Sequence, residues 1–225
     1  MTGKRTYGQA CPIAHALDLV GERWALLVVR ELRLGPRRFA ELQAALPGAG
    51  PSVLAQRLRE LVRVGVLRHR TLPPPASAKV YELTEWGAEL EPVFAALRVW
   101  GMRSPVVPLE GELSADTIFL GLRAYFPGEP DPGWSASYRF EVEREVYHVE
   151  VTRGALTTVM RGDRPGRPDA VVTAGPDALR AVLGHERALA AAIESGELTV
   201  TGDVAAVRRL VEAAPRPPRT GAAAG

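Results

Sequence analysis

The chain has 225 residues, enough for one large domain or two small ones, and an apolar share of 46%, which suits an ordinary packed core. Lys and Arg number 28 against 26 Asp and Glu, unevenly spread: 15 basic against 9 acidic residues up to Ser104, then 13 against 17 beyond it. A single cysteine excludes an internal disulfide, no apolar run nears the length of a membrane span, and the start MTGKRTYGQACP has no signal-peptide core, so a cytoplasmic protein is expected.

Residues 1–10 are polar. Cys11-Pro12 opens a first helix with Ile13, Ala16, Leu17 and Val20 on one face, and Gly21 ends it. Residues 24–34 predict a second helix, almost wholly apolar in WALLVV, which suits a buried element; Trp24 reads as core rather than as part of a ligand cage. Gly35-Pro36 then breaks the chain before Arg37 and Arg38, placed where a helix N-terminus can meet a phosphate.

The next stretch organises the chain. Phe39, Leu42, Ala45 and Leu46 fall at helical spacing, and Pro47-Gly48-Ala49-Gly50 forms a turn. Pro51 suits a first helical position, because its missing N–H would have no partner there anyway. At about 100° per residue, Leu54, Leu58, Leu61 and Val62 share one side and Ser52, Gln56, Arg59 and Arg63 the other. That stripe holds no acid, and Gln and Arg can form paired hydrogen bonds with adenine and guanine edges. Alone, such a helix would read as one with a solvated face; its context says otherwise. A strand follows (66–71), then a Pro-rich tip (72–77) and a returning strand (78–83), bringing Arg68, His69, Arg70 and Lys79. Helix, turn, helix and β-hairpin is the order of a winged helix-turn-helix.

Thr84 caps another helix, with Glu85 at the positive end of its dipole. Leu83, Trp86, Leu90, Val93, Leu97 and Trp100 alternate steps of three and four, a seam that either closes the monomer core or meets a second copy. Pro92 predicts a kink or break near Glu91.

The run CPIAHALDLVGERWALLVVRELRLGPRRFAELQAALPGAGPSVLAQRLRELVRVGVLRHR, continued by KVYELTEWGAELEPVFAALRVWG, resembles the HxlR family of bacterial winged-helix transcription regulators over roughly residues 11–101. The resemblance implies a repressor-type, DNA-binding homodimer on a pseudo-palindromic double-stranded operator, joined through the first helix and residues 84–101. Arg37, Arg38, Ser52, Gln56, Arg57, Arg59, Arg63, Arg68, Arg70 and Lys79 become the DNA-facing candidates. One departure is Gly50, where relatives often carry Ser; glycine gives up a side-chain cap and a phosphate contact. Some relatives sense oxidants through a cysteine placed like Cys11. Here that would require an intersubunit disulfide or an adduct, and the alternative is a cysteine packed near the seam.

Composition and charge change at Ser104-Pro105. Domains are expected at 1–104 and 113–214, with a linker at 105–112 and a disordered tail at 215–225. The second half predicts a helix (115–126), a loop (127–133), and strands at 135–142, 145–151, 156–160 and 170–173 in an antiparallel meander. Helices at 176–183 and 186–194, a strand at 198–201 and a last helix at 204–213 follow. The whole is α+β: a winged helix-turn-helix plus a sandwich of helices on a mostly antiparallel sheet. The run DALRAVLGHERALAAAIESGELTVTGDVAAVRRL looks like a sterol-carrier-protein-like domain, which implies an apolar tunnel for a lipid-like effector. Phe119, Leu122, Tyr138, Phe140, Tyr147, Val149, Leu156 and Met160 are the candidate lining; the same residues would equally fill a solid core.

Catalytic, metal and cofactor signals are not found. There is no Gly-x-Ser-x-Gly, no phosphate-cradling loop and no Cys or His pair at metal spacing; His15, His69, His148 and His185 are scattered, and Glu141, Glu143 and Glu145 suit a solvated face. No enzyme and no membrane partner is expected. The competing reading is a lipid or small-molecule carrier, or a protein-interaction module, whose winged helix does not bind DNA.

Overall fold

The computed structural model describes residues 6–74, 77–105, 113–127, 131 and 133–214. The chain divides into two compact units, Met1–Arg98 and Val99–Gly225. The tail at 215–225, most of the expected linker and part of the wing tip lie outside the described residues.

The first unit runs α1 (Pro12–Val20), α2 (Ala25–Leu32), α3 (Phe39–Ala45), α4 (Pro51–Arg63), β1 (Leu67–Thr71), β2 (Lys79–Leu83), α5 (Glu85–Ala88) and the start of α6 (Glu91–Met102). Its core gathers Val28, Val29 and Leu32 of α2, Leu42 of α3 and Leu54, Leu58 and Leu61 of α4, all but excluded from solvent. Trp24 stands just outside α2 as its N-cap, with a left-handed φ of 75°. Its ring lies against Gly48, where an added Cβ would come within 2.8 Å of the indole, so the α3–α4 turn needs glycine there. The next residue, Ala49, is fully buried, and its carbonyl accepts the Gln43 side-chain amide at 2.7 Å. Thr84 caps α5 through the Gly87 N–H at 3.0 Å. The expected break before Pro92 is present, between Ala88 and Glu91.

The second unit holds α7 (Ala115–Tyr125), β3 (Ala136–Val142), β4 (Glu145–Thr152), β5 (Ala155–Arg161), β6 (Ala170–Ala174), α8 (Pro176–Leu183), α9 (Leu189–Glu194), β7 (Leu198–Gly202) and α10 (Val204–Ala213). Its sheet order is β5-β4-β3-β6-β7, antiparallel except for the parallel pair β3–β6. The expected meander therefore holds for three strands only. The connection from β5 crosses the polar face of the sheet, where Asp163 meets Arg139 at 3.5 Å and Arg164 meets Glu150 at 2.7 Å, and delivers β6 to the far side of β3. The opposite face carries Tyr138, Phe140, Tyr147 and Val149, and its tyrosines bond to α10 and α7.

The SGELTVTGD run has a physical explanation in this fold. Gly202 has φ +97°, and a Cβ there would meet the Asp169 carbonyl oxygen at 2.4 Å. Asp203 then caps α10 by accepting the Ala206 N–H at 2.9 Å. Strand, close backbone approach and helix start are thus set in three successive positions.

Candidate nucleic-acid interface

Helix α4 buries Leu54, Leu58 and Leu61 and turns Ser52, Gln56, Arg59 and Arg63 outward, as the periodicity requires. Gly50 is its N-cap and offers no side-chain bond, leaving Pro51 to begin the helix. Behind α4 the wing pairs Leu67 with Leu83 and Thr71 with Lys79. Arg37 extends it: its N–H donates to the Tyr81 carbonyl at 3.1 Å, and its carbonyl accepts the Tyr81 N–H at 2.8 Å.

Two of the expected DNA contacts are placed elsewhere. Arg57 is only 9% exposed, paired with Glu60 and lying 3.7 Å from Glu22. It sits one position off the polar stripe and ties α4 to the residues ahead of α2. Arg37 is 7% exposed, with Glu31 at 3.9 Å, because its backbone is committed to the wing. Arg38 is exposed, and its N–H donates to Glu41 at 2.7 Å.

The wing arginines share one carboxylate: Arg68 Nε lies 2.7 Å and Arg70 Nε 3.1 Å from Glu82. Lys79 is exposed beside them. Gln56 donates to Glu60 at 3.0 Å, so Glu60 holds both Gln56 and Arg57. Spacings of four and three on a helix made that pairing legible. Val53 is 39% exposed beside Ser52 and Gln56, the kind of group that can touch a thymine methyl.

Helix α6 buries no residue. Val93, Leu97 and Trp100 are 43%, 43% and 77% exposed, and Ile13 and Leu17 of α1 are also open. Cys11 is the N-cap of α1 and partly exposed.

The family model described as HxlR-like helix-turn-helix matches residues 19–105. The HTH-type transcriptional regulator sll1512 of Synechocystis sp. is 39% identical over 94 residues, which span 42% of this chain and 70% of that protein. The chain belongs to the HxlR-like helix-turn-helix family. Two Bacillus subtilis regulators are also similar. The HTH-type regulator YvaP is 36% identical over 41% of this chain and 86% of its own length; YodB is 35% identical over 40% and 81%. A solved structure of the reduced form of YodB, 32% identical, covers 44% of this chain and 97% of that one with a TM-score of 0.39. The second half is similar to a different family: the model described as alkyl sulfatase C-terminal matches residues 132–218, where a sterol-carrier likeness was expected.

Most of the expected pocket lining in that half is packed core. Phe119 stacks on Tyr147 with ring centroids 4.1 Å apart and meets Phe140 edge-on at 5.2 Å. Tyr138 and Val149 are fully buried beside them, and Tyr138 receives a bond from Trp134 Nε1 at 3.2 Å while donating to the Ala206 carbonyl at 3.0 Å. Burial raises the Tyr138 phenol above its ordinary value, against the Trp134 bond. Burial and then the Asp116 carboxylate push Tyr147 up as well. Large rings on adjacent strands thus pack on one another. Met160 faces the other way, its register partner being His148 on the polar face, and Leu156 at the β4–β5 irregularity is partly exposed. Leu122 does line a cavity, between helices rather than under the sheet. Among the described residues no cluster of His, Cys, Asp or Glu is placed to hold a metal, and no helix is long and apolar enough to cross a membrane.

Proposed function

We propose that the chain is a sequence-specific, DNA-binding transcriptional regulator that acts as a homodimer. The observation that carries this reading is α4: three leucines buried on one side, Ser52, Gln56, Arg59 and Arg63 exposed on the other. Residues 1–104 serve as the DNA-binding and dimerisation part, and 113–214 as an effector part rather than an enzyme. Ser52, Val53, Gln56 and Arg59 read base edges in the major groove; Arg38, Arg63 and the wing residues Arg68, Arg70 and Lys79 meet phosphates. The Gln56 bond to Glu60 lies at the surface and exchanges for DNA at small cost. Arg68 and Arg70 are exposed and share the largely buried Glu82, so one can turn to a phosphate while the other keeps that carboxylate paired. The open apolar residues of α1 and α6 form the dimer seam, which places Cys11 near it; diamide treatment of the protein and of Cys11→Ser shows whether oxidation there alters operator affinity.

The decisive measurement is fluorescence anisotropy on a duplex footprinted upstream of the chain's own gene, as a function of salt. Affinity should fall steeply with salt through counterion release. Gln56→Ala with Arg59→Ala should lose about 1–3 kcal/mol of base discrimination for each paired contact removed. A double variant that keeps full preference for the site overturns the assignment, and a protein that retains lipid from the cell while showing no duplex preference supports the carrier reading instead.

A further inference from the structure

The second unit contains an apolar cleft of about 250 Å³ between α7 and α8. Ile118, Gly121, Leu122 and Tyr125 of α7 face Leu183 of α8, and Met102 at the end of α6 closes one side. An engineered apolar cavity of about 150 Å³ accommodates benzene, so this one has room for two fused rings or a chain of about eight carbons.

Gly121 is the residue that keeps the cleft open. It sits inside an eleven-residue helix, where glycine costs about 1 kcal/mol relative to alanine. An added Cβ there would meet nothing within 4 Å, so neither crowding nor a left-handed backbone demands glycine. Its effect is to leave space where any other residue would place a side chain.

The polar groups around the cleft favour an anionic head. Arg180 Nη1 donates to both oxygens of Glu186 at 2.7 and 2.8 Å, and both side chains are solvent-exposed, which puts the pair at the mouth. A ligand carboxylate can take the place of Glu186 on the guanidinium fork and release Glu186 to water. The Tyr125 hydroxyl donates to the Met102 sulfur at 3.4 Å, a weak acceptor that a ligand oxygen would outcompete. Leu113 and Thr117 also border the cleft. Two donors stand against one displaceable acid.

We propose that this cleft binds a small monocarboxylate with an apolar body, the body against Gly121 and the head at Arg180. This deepens the effector part of the function proposed above, although binding itself does not depend on DNA. The test uses the full chain with octanoate, 2-naphthoate, 1-octanol and octylamine, followed by titration calorimetry and thermal shift. Octanoate and 2-naphthoate should bind the unaltered protein, at least about tenfold more tightly than octanol or octylamine. Gly121→Leu should fold with an unchanged or higher melting temperature and lose binding; Arg180→Ala should weaken carboxylates about tenfold and leave octanol unaffected. Binding by Gly121→Leu equal to that of the unaltered protein, octylamine equal to octanoate, or no binding of either carboxylate overturns the proposal. DNA affinity measured on the same samples separates the two readings: a carboxylate that binds without changing DNA affinity refutes the effector role and leaves the site standing.

Discussion

Two sets of ion pairs, one from each unit, use arginine in opposite ways. In the first, Arg68 and Arg70 rest at the surface against Glu82, with side chains 62% and 49% exposed. In the second, Arg161 and Asp116 pair inside the protein at 7% and 4% side-chain exposure, and Tyr147 donates to the same carboxylate at 2.6 Å. The outer guanidinium groups are open to a phosphate, and because two of them share Glu82, one can leave without stranding that carboxylate. The inner one anchors α7 to β4 and β5 and cannot exchange. Position in the fold, not residue type, decides which arginines are available for recognition.

The sharpest way to break this contrast is to remove one partner from each kind of pair. Asp116→Ala leaves Arg161 buried without its counter-charge and should cost about 3–5 kcal/mol of stability in urea unfolding. Arg68→Ala should cost at most about 1 kcal/mol, since Arg68 is exposed and Arg70 still pairs with Glu82. Equal losses would show that the inner pair is solvated in solution and the contrast false.

Within α4 the same distinction separates two neighbours. Arg57→Ala should destabilise the fold by about 1–3 kcal/mol, because its own side chain is buried and paired with Glu60 and Glu22. Arg59→Ala should leave stability within about 0.5 kcal/mol and lose about 1–3 kcal/mol of discrimination at the base it reads. If instead Arg57→Ala folds normally and flattens the salt slope, Arg57 turns outward on DNA and belongs with the phosphate contacts.

Comparing α4 with α6 extends the argument to assembly. Both are amphipathic, yet α4 buries its leucines within the unit and α6 buries no residue. Leu97→Glu places a charge in the middle of the open seam and should weaken self-association at least about tenfold, or about 1.4 kcal/mol, in sedimentation equilibrium. A protein that is already monomeric, or that dimerises as before, would show that the seam meets something other than a second copy.

The first unit was largely legible in its sequence because each element there declares itself locally. Pro51 starts α4, Thr84 caps α5, and Pro92 marks the break before α6, all through rules that reach no further than four residues. What escaped depended on neighbours distant in the chain. Arg37 looked available until Tyr81 took its backbone; for Arg57 the local pair with Glu60 was open to reading, and only the approach of Glu22 was hidden. In the second unit strand alternation correctly put Tyr138, Phe140, Tyr147 and Val149 on one face, but it does not say whether facing rings interlock or line a void. The parallel β3–β6 pair was equally hidden, because it depends on the path of a loop over the polar face rather than on any strand's own pattern.

The smallest expected effect lies at the start of that parallel strand. Asp169 accepts the Ser137 N–H at 2.7 Å and its hydroxyl at 2.8 Å, while its own carbonyl receives the Asp203 N–H at 2.9 Å. It therefore holds β6 against β3 and fixes the residue that caps α10. The bonds from Ser137 lower the Asp169 carboxyl below its ordinary value. The sign follows from that direction: the carboxylate binds its proton less readily folded than unfolded, so its contribution is complete above the ordinary value near about 3.9 and is lost as pH falls through the folded value. Glu150 acts in the same window and direction: burial raises it, but bonds from Thr158 and His148 outweigh that. Asp169→Asn should consequently remove only part of the acid sensitivity. Urea midpoints of variant and unaltered protein should differ most at about pH 5 and converge towards about pH 3. A gap that stays constant across that range would mean that the Ser137 bonds act through geometry alone, since Asn keeps an acceptor oxygen and the charge would then contribute nothing.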